Sequence, residues 1–501
     1  MLVVGLWGIT RQDTMWRDEA ATWQASRRSL PDLWHLLHHA DVVHGLYYFL
    51  MHGVFALFGD SLLALRLPSV LAMAGAAAFV ARIGAQRGCP ATGLCAGITF
   101  ALLPAVQNYA QEGRSYALVT LGIACGTWLL VGLLDRPGRS LRWGTYAGVV
   151  LVTGWLNWFA LLVLPAHAVA VLCARPGRAA VARWALSSAV AVAGTLPLIL
   201  RSQDQSGQVS WIKPLTPGSL TVPALMVVGG VVCAVCGALG GRGRSAREGR
   251  AGGGGSGALG QSGVFRVSGA SGVSGASGMF GVSGARGVAL WGVGLPLLAF
   301  PQAALLAVSL VKPLYVDRYV LFSYLGLALL IGAAAARAYR ALVRPGVAAA
   351  VVVVALGCVL LPAELGHRGP HSRIDDVIAP ANVVAATARP GDGVLYIPAA
   401  RRDTALVAPA KFAGLDDIAL LQSPVKSGTL KGVEKEPDRI ARAVAAQRRV
   451  ILVTDATGVS TSEGDRAKRR ALDTHFVCVS DTRVHGRRVA VYEHRRGQHA
   501  H

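Results

Sequence analysis

The sequence predicts a polytopic α-helical membrane protein of about eleven spans, followed by a small C-terminal α/β domain outside the bilayer. Three observations carry this prediction. Of 501 residues, 53% are apolar and only 15% charged, with mean hydropathy +0.46, whereas a soluble domain carries about a quarter charged residues. Apolar residues gather into stretches of the length a bilayer core requires, about 20 residues per helix. The carboxylates are unevenly placed: 11 of the 27 acidic residues lie in 1–362 and 16 in 363–501. An acid-poor body followed by a mixed-charge tail divides the chain into a membrane domain, 1–362, and an extracytoplasmic domain, 363–501.

In chain order, Met1–Thr10 is apolar but would cover only about 15 Å as a helix, half a bilayer core. A first span truncated at its upstream end is expected. The outer loop 11–61 follows. Within it, residues 44–59 (HGLYYFLMHGVFALFG) are too short to span, and a crossing there would invert every later loop. An amphipathic helix on the outer interface is expected, with Tyr47 and Tyr48 at headgroup depth. Spans are expected near 62–82, 90–108, 115–134, 143–157, 159–174, 181–200, 219–240, 288–311, 318–336 and 346–362. Residues 241–287 are Gly/Ser-rich, with VSGASG at 267–272 and 273–278 and VSGARG at 282–287. Such a stretch buries too little to fold, and a disordered cytoplasmic linker is expected. In the tail, 389–398, 418–422, 449–455, 475–480 and 488–494 read as strands, with helices over 434–448 and 462–471. Their alternation indicates an α/β domain.

The formal charge of +22 would suggest nucleic acid in a soluble protein. Here Arg gathers in alternate loops (Arg82 and Arg87; Arg136, Arg139 and Arg142; Arg175, Arg178 and Arg183; Arg242 to Arg250; Arg337, Arg340 and Arg344). By the positive-inside rule these face the cytoplasm, so a nucleic-acid partner is excluded. Nine of the eleven membrane-domain acids then fall on the outer face. Seven of the eight cysteines sit in or beside apolar spans, and the tail holds only Cys478, so there is no disulfide framework. No glycine-rich phosphate fingerprint follows a tail strand. His494, His499 and His501 have no metal-ligand spacing.

The chemistry is expected on the outer face. The first loop carries MWRDEAATW (15–23), with adjacent carboxylates Asp18 and Glu19, and then His44, Tyr47 and Tyr48. QNYAQEGRSYAL (107–118) places Glu112, Arg114 and Tyr116 at a helix start, and a late loop brings Asp317, Arg318 and Tyr319. Each piece has a plainer reading. Acids favour a helix N-terminus, and interfacial Arg commonly anchors helix ends. Their convergence on one face favours chemistry: Arg forks suit a lipid phosphate, and a carboxylate can take an acceptor's proton.

These residues resemble an integral-membrane GT-C glycosyltransferase of the protein O-mannosyltransferase and aminoarabinose-transferase superfamily, similar to bacterial glycosyltransferase family 39. The matching elements are Asp18–Glu19, His44-Gly-Leu-Tyr-Tyr, GDSLLALRLPSVL (59–71), EGRSYAL (112–118) and DRYVLFSYLGLALL (317–330). Gly45 departs from the family's proline pair. The resemblance implies sugar transfer, mannose by default, from a polyprenyl-phosphate donor to a protein, glycan or glycolipid acceptor. Transfer would occur on the outer face of the cell membrane, with inversion at the anomeric carbon. It casts Asp18 as general base with Glu19 in support, and Arg114, Arg318 and Tyr319 as holders of the donor phosphate. His44, Tyr47, Glu112 and Tyr116 would shape the sugar and acceptor pocket. Some relatives are associated with a divalent cation, but nothing in this sequence requires one. The alternatives are a transporter or lipid flippase, which would place ionisable residues at the bilayer midplane and show internal repeats, and a catalytically silent membrane scaffold.

Overall fold

Long apolar helices separated by short polar turns dominate the first two-thirds of the computed structural model, which describes residues 1–136, 138, 140–205, 207, 211–239, 288–341, 358–457 and 462–495. The helices are α1 (Leu2–Leu6), α2 (Arg17–Ser26), α3 (Leu30–His39), α4 (Gly45–Phe58), α5 (Leu62–Arg87), α6 (Pro90–Leu102), α7 (Pro104–Ala110) and α8 (Tyr116–Asp135). Next come α9 (Ser140–Leu156), α10 (Val163–Ala174), α11 (Arg178–Asp204), α12 (Pro217–Leu239), α13 (Leu290–Ser309) and α14 (Ser323–Ala341). Among the described residues, α5, α8, α11, α12 and α13 are long and apolar enough to cross a membrane, and α6 with α7 adds a sixth if that bent pair is one span. These cover six of the expected spans. The stretches expected near 143–157, 159–174 and 318–336 are helical as α9, α10 and α14. The linker 241–287, residues 346–357 of the last expected span, and His499 and His501 lie outside the described residues.

The 62° bend between α6 and α7 falls at Leu103, whose backbone is extended. Pro104 explains it, because the residue before a proline is pushed out of the helical region and the proline has no N–H to continue the ladder. The helix ends sort into two sets. On one side, Arg87 pairs with Asp135 and donates to Val131 O (3.2 Å) and Val288 O (3.5 Å). This joins the ends of α5 and α8 to the approach to α13. Cys173, at the end of α10, lies against Gly292 on the same side. On the other side, α9 turns back into α10 through a 3-10 turn, Trp158–Leu162, capped by Asn157 Oδ1, which accepts from Phe159 N at 3.0 Å. Residues 140–174 are therefore two helices joined by a turn, as the separate stretches 143–157 and 159–174 led one to expect.

Residues 11–61 fold onto the helix ends as α2, α3 and α4. Tyr47 and Tyr48 are fully enclosed, while Leu57 and Phe58 at the end of α4 are 79% and 76% exposed. Both tyrosines are thus enclosed by protein and do not face lipid. The Tyr48 hydroxyl donates to Asp41 and accepts from Arg114, and these polar partners draw that face of α4 into the protein.

The tail contains a five-stranded sheet in the order β2-β1-β5-β7-β6, with β1 (Gly393–Ile397), β2 (Asp416–Asp417), β5 (Arg449–Asp455), β6 (Phe476–Val484) and β7 (Arg487–His494). A two-stranded ribbon, β3 (Leu420–Gln422) with β4 (Val433–Glu434), stands apart. Strand β1 runs parallel to β2 and β5, and β7 runs antiparallel to β5 and β6. Alternation along β1 and β5 buries both faces: Leu395 and Leu452 pack with Ile440 and Leu472, and Val394 and Val453 pack with Val384. Gly486 at φ +73° makes the tight β6–β7 turn, where glycine has no Cβ to strain. The helices expected over 434–448 and 462–471 form as α16 (Pro437–Ala445) and α17 (Glu463–His475), and α15 (Ile378–Thr387) precedes the sheet.

The tail is docked on the first loop by backbone and charge together. Met15 N donates to Asp376 Oδ1 (3.0 Å) and Val377 N donates to Met15 O (2.7 Å). Arg17 pairs with Asp375 at 3.4 Å, and Arg28 donates to Thr429 O at 2.6 Å.

Candidate active site

The carboxylate pair sits in the first turn of α2, where a helix dipole favours acids. Adjacent residues on a helix point about 100° apart, and the two side chains have different surroundings. Glu19 is turned inward and fully buried. Its Oε1 accepts from Arg66 Nε (2.7 Å) and Gly113 N (3.1 Å), and its Oε2 accepts from Arg11 (2.5 Å) and Arg66 (2.8 Å). Burial alone would raise its pKa, but the two guanidiniums prevail and hold it at about 2. Arg66 also donates to Ile9 O and Thr14 O, at 2.7 and 2.6 Å. The triad thus clips residues 9–14, α2 and α5 together.

Asp18 faces the other way, into a cavity of about 930 Å³. The cavity lies among the loop-side ends of α8, α11 and α13, the first loop and the tail. Arg318 reaches Asp18 Oδ2 at 3.4 Å. Its guanidinium stands 5.3–5.9 Å from the ring centres of Trp16, Tyr116, Trp211 and Tyr319, a cage that holds a cation by its rings' negative faces. Tyr319 stacks on Phe159 at 4.9 Å and Phe159 on Trp158 at 4.1 Å, forming an aromatic shelf. Arg114 donates to Tyr48 Oη at 3.0 Å and stands 3.9 Å from Asp41. Asp41 itself has φ +58°, a conformation that Asp tolerates better than most residues. His44 shares a hydrogen bond of 3.3 Å with Ser115 Oγ. Burial, reinforced by Arg114, pushes its pKa down to about 3 against the pull of Asp41. It is therefore a neutral ring at physiological pH.

The structure brings Asp18, His44, Arg114, Tyr116, Arg318 and Tyr319 to one cavity wall. Glu19, Tyr47 and Glu112 are not in that wall. Glu19 is turned to its arginines and Tyr47 into the core beneath α4. Glu112 is buried in the turn that presents Arg114, with Arg373 of the tail 3.7 Å from its carboxylate. Sequence reasoning gave no role to several wall residues: Asp41, the Trp158–Phe159 shelf, Trp211, Lys312 and, from the tail, Arg401. The φ and partners of Asp41 are tertiary facts, but an aromatic pair after Asn157 at a helix break was visible. Among the described residues, no group of three or more His, Cys, Asp or Glu side chains could hold a metal ion.

Burial raises Glu112 to about 7, against the pull of Arg373 and Arg318 and with help from Asp18 and Glu19. Its ordinary value is 4.5, so between about 4.5 and 7 the folded chain binds more protons than the unfolded one. Stability then falls as pH rises through that window. Glu112→Gln should raise the melting temperature relative to wild type at pH 8 and leave it near wild type at pH 5, as measured by thermal unfolding in detergent. An equal shift at both values would refute the assignment.

The chain matches no protein-family model and no curated protein. Two solved structures are similar to it along nearly their whole length. ArnT from Cupriavidus metallidurans in the apo state superposes with a TM-score of 0.58 at 12% identity, covering 98% of this chain and 96% of that one. The same protein bound to undecaprenyl phosphate gives 0.55 at 13% identity, with the same coverage. At such identity the likeness is one of architecture: this chain has the fold of ArnT.

Proposed function

We propose that this chain is a membrane glycosyltransferase that moves a sugar from a polyprenyl-phosphate donor to an acceptor hydroxyl at the outer face of the cell membrane. The observation that carries the reading is a single cavity holding Asp18 beside Arg318, with Arg114 in the same wall. Undecaprenyl phosphate is the ligand of one structure of the same fold. The C-terminal end of α13 and the turn after it offer a path for a polyprenyl tail, because Val308 and Val311 line the cavity and are also exposed. Arg87, at the helix ends away from the cavity, belongs to the Arg-rich set, and by the positive-inside rule this supports reading the cavity side as the outer one.

In this reading the acceptor hydroxyl attacks the anomeric carbon, the carbon–oxygen bond to phosphate breaks, and the electron pair leaves on the phosphate. Displacement from the opposite face inverts the anomeric centre. A phosphate is already a good leaving group, so the protein's main tasks are orientation and charge stabilisation. Arg318 is paired with Asp18 before the donor arrives. Phosphate oxygens take over its guanidinium, and Asp18 is released to accept the hydroxyl proton. Neutral His44 and the Trp158–Phe159–Tyr319 shelf shape the space for the sugar. Mannose is the first sugar to try.

Arg318→Gln should weaken polyprenyl phosphate binding about tenfold or more, because a hydrogen bond to a charged group contributes ~1.5–3 kcal/mol and each 1.4 kcal/mol is a factor of ten. Arg114→Gln should act in the same direction. Binding to labelled polyprenyl phosphate in nanodiscs measures both, and wild-type affinity in both variants would end the proposal.

A further inference from the structure

The tail sheet has a reversal point that opens on the same cavity. From β1 the chain moves to β2 on one side and returns past β1 to β5 on the other, with all three strands parallel. Open parallel sheets bind ligands in the crevice beyond the strands' carboxyl ends, where the strand order reverses. Here that crevice lies between Ala399–Arg402, after β1, and Asp455, the last residue of β5. Arg401 bridges it, with Nε 2.6 Å and Nη2 3.0 Å from the Asp455 carboxylate. Asp403 stands 3.6 Å from the same guanidinium. The crevice does not open to bulk solvent alone, because Ala400, Arg401 and Ile374 form part of the wall of the cavity that holds Asp18 and Arg318. Arg487 fixes this orientation by bridging Asp375 and Asp403 at 3.0 and 2.9 Å, while Asp375 is paired with Arg17 of α2.

We infer that this crevice is the acceptor seat, and that it takes a polyhydroxylated, sugar-bearing acceptor whose hydroxyls are read by the Arg401–Asp455 pair. The inference rests on the transfer reading above. The two arginines differ in charge chemistry. Arg318, which lines the same cavity, has among the described residues a single carboxylate at ion-pair distance, Asp18 at 3.4 Å, suited to exchange for a phosphate. Arg401 is already compensated by two carboxylates, so it is a poor clamp for a third anion. A fixed pair of donor and acceptor groups suits hydroxyls, which both give and take hydrogen bonds. The exposed Ala400 and the Ile374 side chain supply apolar contact for a sugar ring's C–H face.

The test uses the full chain in nanodiscs with polyprenyl-phosphate mannose as donor, and butyl glucoside or butanol as acceptor. Wild type should show a KM for butyl glucoside at least about tenfold below that for butanol. Ala400→Phe fills the crevice and leaves the ion pairs in place. It should raise the glucoside KM about tenfold, towards the butanol value, with kcat and polyprenyl phosphate affinity close to wild type. Arg401→Gln should do the same if it folds. A wild type that binds polyprenyl phosphate yet treats both alcohols alike overturns the acceptor seat alone, as does Ala400→Phe with an unchanged glucoside KM. A wild type that binds no polyprenyl phosphate overturns the transfer reading beneath it.

Discussion

Asp18→Asn should lower kcat for sugar transfer by about 10²–10⁴, the range a positioned general base contributes, and should at the same time tighten polyprenyl phosphate binding. The second half follows from geometry. Asp18 Oδ2 lies 3.4 Å from Arg318, so carboxylate and phosphate compete for one guanidinium, and the carboxylate also repels the phosphate. At an effective dielectric near 20, two unit charges about 5 Å apart interact by ~3 kcal/mol, and solvent in an open cavity reduces that. A gain of about fivefold in affinity is the expected reading. The isosteric amide keeps the shape of the α2 turn, so loss of rate with gain of affinity separates a chemical role from a structural one. Transfer at the wild-type rate, or weaker phosphate binding, would remove Asp18 from the mechanism.

The sequence made the membrane body legible because its signals are local. Apolar runs and Arg-rich turns are properties of neighbouring residues, and they separate the helices from the turns, including the two helices within 140–174. Asp18, Arg114 and Arg318 could be singled out as candidates for a related reason: acids are few in 1–362, and those that remain gather on one side with Arg and Tyr beside them. What stayed hidden depends on rotation and docking. Asp18 and Glu19 are indistinguishable as neighbours in a string, and only a 100° turn of helix decides which meets the cavity and which meets Arg66. Arg66 lies within a run that reads as a span, and nothing local reveals Glu19 as its partner 47 positions away. Arg401 and Ile374 reach the cavity only because Asp375 and Asp376 pin the tail to the first loop. Helix α15, with Pro380 in its first turn, is not among the helices expected in the tail.

The largest stability effect is expected at Glu19. Removing one member of a buried ion network leaves its partners charged and unpaired, at a cost of about 3–5 kcal/mol. Glu19→Gln would strand Arg11 and Arg66, both essentially inaccessible to solvent. Burial already lowers Arg11 to about 9 despite Glu19. The acid profile gives an independent sign. The folded pKa of Glu19 is held at about 2 and its ordinary value is 4.5. Its contribution is therefore fully present above about 4.5 and is lost as pH falls through about 2. Wild type should lose stability across that window more steeply than Glu19→Gln, which lacks the titrating group. Thermal unfolding of both proteins at neutral pH and between pH 4.5 and 3 measures this. The same variant separates the two acids of the pair: below its own melting temperature, Glu19→Gln should keep polyprenyl phosphate affinity and most of kcat, because Glu19 touches the site only through the backbone of α2 and the 112–114 turn. If instead kcat collapsed while the melting temperature stayed at the wild-type value, Glu19 would belong in the chemistry, and the inward-facing triad would not be what holds the first loop in place.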